Sequence, residues 1–462
     1  MKTPESPPKI TQDKFHEAIR HLHSDTCRQL IKKALDKHLY WSKLKYMQID
    51  DTMDPEILWT IVKINRNLNA EKIKISEIEG FDFKYNLTTN IQQQLHKFDL
   101  NLGGRLGGET IIPDADKNRY LIGSIMEEAI ASSQLEGAAT TRKDAKKMLR
   151  EERKPTNKSE QMILNNYNTI KKLKELKDQE ITPELILEIH SSITKDTFDD
   201  STQVGKFRKS NDITVTNPSR EVIYYPPDCK YIEQIMDDFC AFTNEKNDNQ
   251  FIHPVIKATI LHFLIGYIHP FTDGNGRTAR AIFYWYLLKK GYWLIEYMSI
   301  SRMIIKSPTQ YAKAYLYTEF DENDLTYFIN YQLKAMDLAF DGLKEYINKK
   351  IQDKSELYDF KKINHINDRQ IHILKLLSDD PKLTLTIKEI QNRFNIVYQT
   401  ARTDIMGLEK LGIVEKNVAG KKKLVYYRSE KFTEIISRLI AEKPKKKHSS
   451  LDNWAIKDAD IG

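Results

Sequence analysis

Through most of this chain, apolar residues recur at the three-to-four-residue spacing of a helix. Pro55–Leu68 places Ile57, Ile61, Val62 and Ile64 at apolar positions, and similar stretches fill much of residues 11–99. The period returns from Lys117 to Glu136 with Leu121, Ile122, Ile125, Met126, Ala129, Ile130 and Leu135; Gly137 reads as the cap that ends it. Two more helices are predicted over 159–176 and 182–197, the second opened by Thr182 and Pro183. Between Gly205 and Pro227 the spacing drops to two. Ile213, Val215, Val222 and Tyr224 alternate with polar neighbours around Asn217-Pro218-Ser219-Arg220, which predicts a β-hairpin. Helices resume at Tyr231–Glu245 and Val255–Ile268. The latter is apolar on nearly every face, so it belongs at the centre of its domain. A polar, Lys/Asp-rich stretch over 349–366 reads as a linker to a separate C-terminal unit.

Composition narrows the classes. No run of 18 apolar residues exists, so no membrane-spanning helix is expected. Met1–Pro8 lacks the apolar stretch of a secretory signal. Three cysteines (Cys27, Cys229, Cys240) without a CxxC pair argue against a disulfide framework or a cysteine zinc site, and fit a cytoplasmic protein. The formal charge is +7, but Lys416–His448 alone carries eleven Lys/Arg against three Glu. Any polyanion contact is therefore to be sought at the C-terminal end. The loop Gly103-Gly104-Arg105-Leu106-Gly107-Gly108 is followed by no Lys-Ser/Thr pair, so it is no phosphate-binding P-loop.

The chemistry concentrates in His269-Pro270-Phe271-Thr272-Asp273-Gly274-Asn275-Gly276-Arg277-Thr278-Ala279-Arg280. Pro270 stops the apolar helix, leaving His269 at the end of a rigid element. Glycines on both sides of Asn275 let the backbone bend and approach a ligand, and the helix that follows offers free N–H groups. Arg277 and Arg280 share a face of its first turn, where the helix dipole disfavours cations; two together imply an anion. Asp273 supplies a hard oxygen that suits Mg²⁺ beside phosphate. An EF-hand-type calcium loop is the competing pattern, but Phe271 and Ile282 stand where it needs acids. A base, a carboxylate, an anion-binding turn and two guanidinium groups are the requirements of phosphoryl-type transfer.

These twelve residues resemble the Fic family signature HPFx[D/E]GNGRxxR, matching every fixed position. The resemblance spans about residues 117–340. It implies a mainly α fold, a Fic-type helical core with a small β-hairpin flap, and transfer of AMP from ATP to a protein hydroxyl. On this resemblance, His269 is the catalytic base and Asp273 holds Mg²⁺. Gly274, Asn275, Gly276 and Thr278 cradle phosphate. Arg277 and Arg280 hold the triphosphate, and Phe271 anchors the loop. Ser132-Ser133-Gln134-Leu135-Glu136-Gly137 resembles the family's inhibitory motif [S/T]xxxE[G/N], which implies that Glu136 occupies Arg280. The hairpin over 213–225 resembles the flap on which a Ser, Thr or Tyr of a target docks as an added strand. The family's paired tyrosines are replaced by Tyr311-Ala312, and Thr318-Glu319 stands where an Asn near the adenine is usual. Tyr311 and Tyr315 then either line the base pocket or belong to the core.

Residues 367–430 resemble a winged helix-turn-helix. Helices are expected at Asp368–Ser378, Ile387–Phe394 and Tyr398–Leu411, then two strands around Ala419-Gly420. Gln399, Thr400, Arg402 and Thr403 would face outward, and Lys421–Lys423 would meet phosphate. The expected organisation is a helical N-terminal region over 1–116 and a Fic domain over 117–348 whose inhibitory helix is 117–137. The linker over 349–366, the winged helix and a basic tail over 431–462 follow. The expected function is an autoinhibited adenylyltransferase using ATP and Mg²⁺ on a target protein and on itself. Two rivals remain at this stage: removal of AMP by the same site, and a DNA-binding regulator that senses nucleotide. DNA or a second copy of the chain are the other partners considered, and no membrane contact is expected.

Overall fold

The computed structural model describes residues 3–21, 25–47, 54–103, 117–216, 221–245, 250–364, 366–419 and 423–441. The chain divides into two compact units, Met1–Lys344 and Glu345–Gly462. Both are mainly helical, and no helix among the described residues is long and apolar enough to cross a membrane.

In the first unit, the helix Pro254–Ile268 is buried all round, from Val255 to Ile265, as its sequence demanded. It packs beside the helix Asn275–Lys289, itself buried from Arg277 to Leu288. Around this pair lie the helices Lys117–Leu135, Lys158–Leu176, Pro183–Thr194 and Ile232–Thr243. The hairpin consists of Val215–Thr216 paired antiparallel with Val222–Tyr224, with a register shift between Val215 and Thr216. Its turn, Asn217–Arg220, and the glycine-rich loop from Gly104 lie outside the described residues.

Three expectations change. First, no unit boundary falls at 116. Residues before it are tied in by buried polar contacts: His38 Nε2 lies 2.9 Å from Asp324 Oδ2, Arg66 donates to the Tyr327 hydroxyl (2.8 Å), and Lys63 pairs with Asp321. Tyr40 also stacks on Tyr317 at 3.8 Å. Second, this region is not wholly helical. Glu71–Lys74 pairs antiparallel with Asp82–Tyr85. Ile73, Ile75, Phe81, Phe83 and Tyr85 alternate inward, a period-two signal the helical reading passed over. Third, the polar stretch after residue 348 is no linker: one helix runs Thr326–Lys361. Phe360 then joins the apolar core of the second unit, giving this polar helix a buried stripe.

In the second unit, the helices Asp368–Asp379 and Ile387–Phe394 both begin with capping boxes, Asn367 with Gln370 and Thr386 with Glu389. The helix Tyr398–Lys410 follows. Val414–Ala419 and Lys423–Arg428 form a hairpin, and a short third strand, Thr384–Leu385, pairs with the second of these. Ile371, Leu374, Leu377, Ile390, Ala401, Ile405 and Leu408 make the core. Phe432 and Ile436 of the helix Phe432–Ala441 enter it too, so this part of the expected tail is packed structure. Residues from 442 lie outside the described residues.

Candidate active site

The apolar helix ends where its sequence places His269. That residue adopts a left-handed conformation (φ 50°, ψ 56°), which lets the chain turn out of the helix at once. For a non-glycine residue this conformation costs on the order of 1 kcal/mol, and such outliers cluster at functional sites. His269 Nδ1 lies 3.1 Å from the Gly266 carbonyl, so Nδ1–H donates there and Nε2 keeps its lone pair. Burial pushes the His269 pKa below the ordinary histidine value, with Gly266 and Glu136 opposing and Arg208 adding to the fall. The ring is therefore neutral at pH 7, as a base must be.

The loop after it is held from inside. The Asn275 side chain accepts from Phe271 N (2.9 Å) and donates to Phe271 O (2.8 Å). Asn275 was expected to cradle phosphate; its side chain braces the loop, and only its backbone can face an anion. His190, unnoticed in the sequence, lies flat on Phe271 at 3.7 Å. Its Nδ1 accepts from Gly205 N (3.1 Å), which leaves Nε2–H to donate to the Asp273 carbonyl (2.9 Å). Burial lowers its pKa to about 4, so this wedge stays neutral. A polar residue amid Leu185, Ile186, Ile189 and Ile193 was the signal that could have found it.

Gly274 is left-handed (φ 84°) and caps the next helix without a side-chain bond. A Cβ there would meet Thr194 and His190, so glycine is required on both counts. Asp273 Oδ1 accepts from Gly274 N at 2.6 Å, while Oδ2 stands 3.6 Å from Arg277 Nη2 and the side chain is half exposed.

Both arginines are buried, but differently. Arg277 donates from Nη1 to the Ile193 carbonyl (3.2 Å), while its Nε and Nη2 have no hydrogen-bond partner. Thr278 Oγ1 beside it is also buried and unpartnered. Arg280 is engaged through Nε and Nη2. Its Nε donates to Ser132 Oγ (2.8 Å), and Nη2 donates to the Ser132 carbonyl (3.0 Å) and to Glu136 Oε1 (2.9 Å). Burial opposes the Arg280 charge, yet Glu136, Tyr311 and Glu128 together outweigh it and raise the pKa. The Glu136 carboxylate also lies directly over Gly276, where a Cβ would collide with it. Its placement follows from the left-handed Gly137 (φ 92°), with Ala138 N closing on the Ser133 carbonyl at 3.0 Å. Glu128, two turns earlier, accepts from Ser301 N and Ser299 Oγ (both 3.0 Å) and fixes the helix in place.

Tyr311 is half-buried beside Arg280. Its hydroxyl lies 2.9 Å from His262 Nε2, and its ring packs among Tyr315, Phe328 and Tyr331.

The donor set fits a nucleotide triphosphate. Buried guanidinium N–H groups without partners, an uncapped helix start and a glycine lacking any Cβ all suit phosphate oxygens. Among the described residues no group of three His, Cys, Asp or Glu could hold a metal by itself. A divalent cation at Asp273 would thus take most of its oxygens from phosphate and water, which is how Mg²⁺ usually binds.

Residues 180–287 match the model of the Fic/DOC family. That span takes in His190, Arg208, the hairpin and residues 269–280, but neither Glu136 nor Tyr311. The chain is 33% identical over 116 residues to a protein adenylyltransferase Fic from Nematostella vectensis, covering 25% of each. It is 34% identical over 116 residues to one from Aedes aegypti, covering 25% of this chain and 21% of that protein. The matches thus span about a quarter of the length of these curated relatives or less. Among solved structures it is similar to a Fic family protein from Desulfovibrio desulfuricans G20, with 16% identity and a TM-score of 0.45 over 74% of this chain and 95% of that one.

Proposed function

We propose, from the match of residues 180–287 to the Fic/DOC family model, that the chain is an autoinhibited protein adenylyltransferase, moving AMP from ATP to a hydroxyl of a target protein and of itself. The observation that carries the reading is the Glu136 carboxylate: it sits on Arg280 and over Gly276, in the place an anionic phosphate would take.

In the active state Glu136 withdraws. The terminal phosphate of ATP takes its place on Arg280, the Nε and Nη2 of Arg277 take further phosphate oxygens, and the N-terminus of the Asn275–Lys289 helix faces the rest. Asp273 would hold Mg²⁺, which supplies charge neutralisation on the phosphates. The target hydroxyl, docked along the 213–225 hairpin, gives its proton to His269 Nε2. Its oxygen forms a bond to the α-phosphorus as the bond to pyrophosphate breaks. His269 then returns the proton to solvent. Proton uptake raises no charge conflict, because the ring starts neutral and Asp273 is near enough to favour the imidazolium.

The test is mass spectrometry of Glu136→Gly protein incubated with ATP and Mg²⁺. A covalent AMP on the chain, absent in the His269→Ala variant, supports the reading; nucleotide binding without any transfer refutes it and favours a nucleotide sensor. The unsubstituted protein offered an adenylylated acceptor tests the reverse reaction, which needs Glu136 to orient water and should then fail in Glu136→Gly.

A second reading concerns the C-terminal unit. The helix Tyr398–Lys410 leaves Gln399, Arg402 and Thr403 exposed on one side while Ala401, Ile405 and Leu408 pack inward. That supports a winged helix presenting its third helix to duplex DNA. Binding that weakens steeply with salt is the expected result, and an affinity for DNA that ignores salt would count against it.

A further inference from the structure

We propose that Arg208 is a positioning residue that ties docking of a target on the hairpin to the orientation of His269; the proposal rests on the reading of these two features given above. Arg208 is 3% exposed. Its Nε donates to the carbonyl of His269 itself (2.9 Å), and its backbone N–H donates to the Pro270 carbonyl (2.8 Å). Its Nη1 donates to the Ser210 carbonyl (2.9 Å) and to Asn211 Oδ1 (3.2 Å), where the chain leads into the hairpin. Its Nη2 donates to the Pro227 carbonyl, where the chain leaves it.

One rigid guanidinium therefore clamps both feet of the hairpin and the backbone of the base. Two neighbouring carbonyl planes, those of His269 and Pro270, are held together, which fixes the backbone at a residue already in a strained left-handed turn. A planar fork with donors in fixed directions can reach four acceptors at once; a lysine cannot.

The charge makes the choice informative. Among the described residues no carboxylate forms an ion pair with Arg208, and its burial lowers its pKa. A buried cation held only by neutral acceptors is costly unless the geometry it imposes matters. If the hairpin needed only an anchor, a neutral side chain would serve. A fork joining the docking strand to the base makes docking and alignment a single event. Misplacing the base by about 1 Å can cost on the order of 100-fold in rate.

The experiment uses the full chain in the Glu136→Gly background, with the His269→Ala chain as acceptor in trans. For Arg208→Lys the expected result is ATP affinity within about twofold of the parent, kcat down about tenfold or more, and KM for the acceptor up about fivefold. Guanidinium ion at millimolar concentration should restore part of the activity of Arg208→Ala. The His269 ring resonances should shift in Arg208→Lys, and in the parent on adding acceptor. The proposal is overturned if kcat falls only in step with ATP affinity, if kcat and KM stay unchanged, or if the His269 resonances do not move. A parent that transfers no AMP would sink the transferase reading alone, since the resonances still judge the tie. Should Arg208→Lys fold poorly by thermal melting, Arg208→Gln with the same measurements decides.

Discussion

Replacing Glu136 by Gly tests the brake most directly, and the structure sets the size of the effect. The carboxylate makes one charge-assisted hydrogen bond to Arg280 at 2.9 Å, and the pair is mostly buried, with side-chain exposures of 4% for Arg280 and 23% for Glu136. The helix bearing it is anchored by Glu128 and closed by Gly137, so withdrawing Glu136 also loosens that end. A hydrogen bond to a charged group is worth about 1.5–3 kcal/mol, and the partial exposure of Glu136 favours the middle of that range. Taking about 2 kcal/mol as the cost of clearing Arg280, roughly one molecule in 30 is open at any time. Glu136→Gly should then raise the initial rate of self-modification by roughly 30-fold, measured with ATP labelled on its α-phosphate. Arg280 retains both bonds to Ser132, so the anion site itself should survive the change. Glu136→Gln keeps a hydrogen-bonding oxygen but not the charge and should fall between the two. An unchanged rate in Glu136→Gly, with His269→Ala still inactive, would refute the reasoning.

His269→Ala should abolish transfer while leaving ATP binding within about twofold, by calorimetry. For the intact enzyme the neutral ring is the active form and its pKa is lowered, so the rate should be flat near pH 7 and fall only well into the acid range; an acidic limb at or above pH 6.5 would contradict the burial argument. Gly276→Ala puts a methyl group where a carboxylate or phosphate must lie, so both the Glu136 brake and triphosphate affinity should weaken, read as a raised Kd for ATP in the Glu136→Gly background. His262 is fully buried and burial lowers its pKa to about 3. The unfolded chain therefore binds one more proton below pH 6.5, and stability should drop by up to about 1.4 kcal/mol per pH unit between there and pH 4 on this account. In His262→Gln the slope of stability against pH should lessen by that amount, measured by denaturant unfolding; an equal slope would show that this ring is not what acid attacks.

The linear pattern determined the helices, because apolar periodicity and caps act within a few residues. Pro55–Leu68, Ile387–Phe394 and the wholly apolar Pro254–Ile268 could each be read from their own segment. So could the twelve-residue loop, whose proline, glycines and arginines constrain backbone and charge locally. Other features depended on residues far apart in the chain. The region before residue 116 merges with the first unit through His38, Lys63 and Arg66, whose partners lie more than 250 residues away. Arg208 acts on the loop from a segment whose own sequence carries no sign of it, and His190 shows only as a polar residue on an apolar helix face, with nothing to say what it meets. Asn275 and Tyr311 were of the right type for ligand contacts, yet their side chains are engaged within the protein. A sequence names the groups able to bind an anion or take a proton. Which of them are free to do so depends on who else reaches them, and only the packed chain, which leaves Arg277 partly unbonded and gives Arg280 to Glu136, decides that.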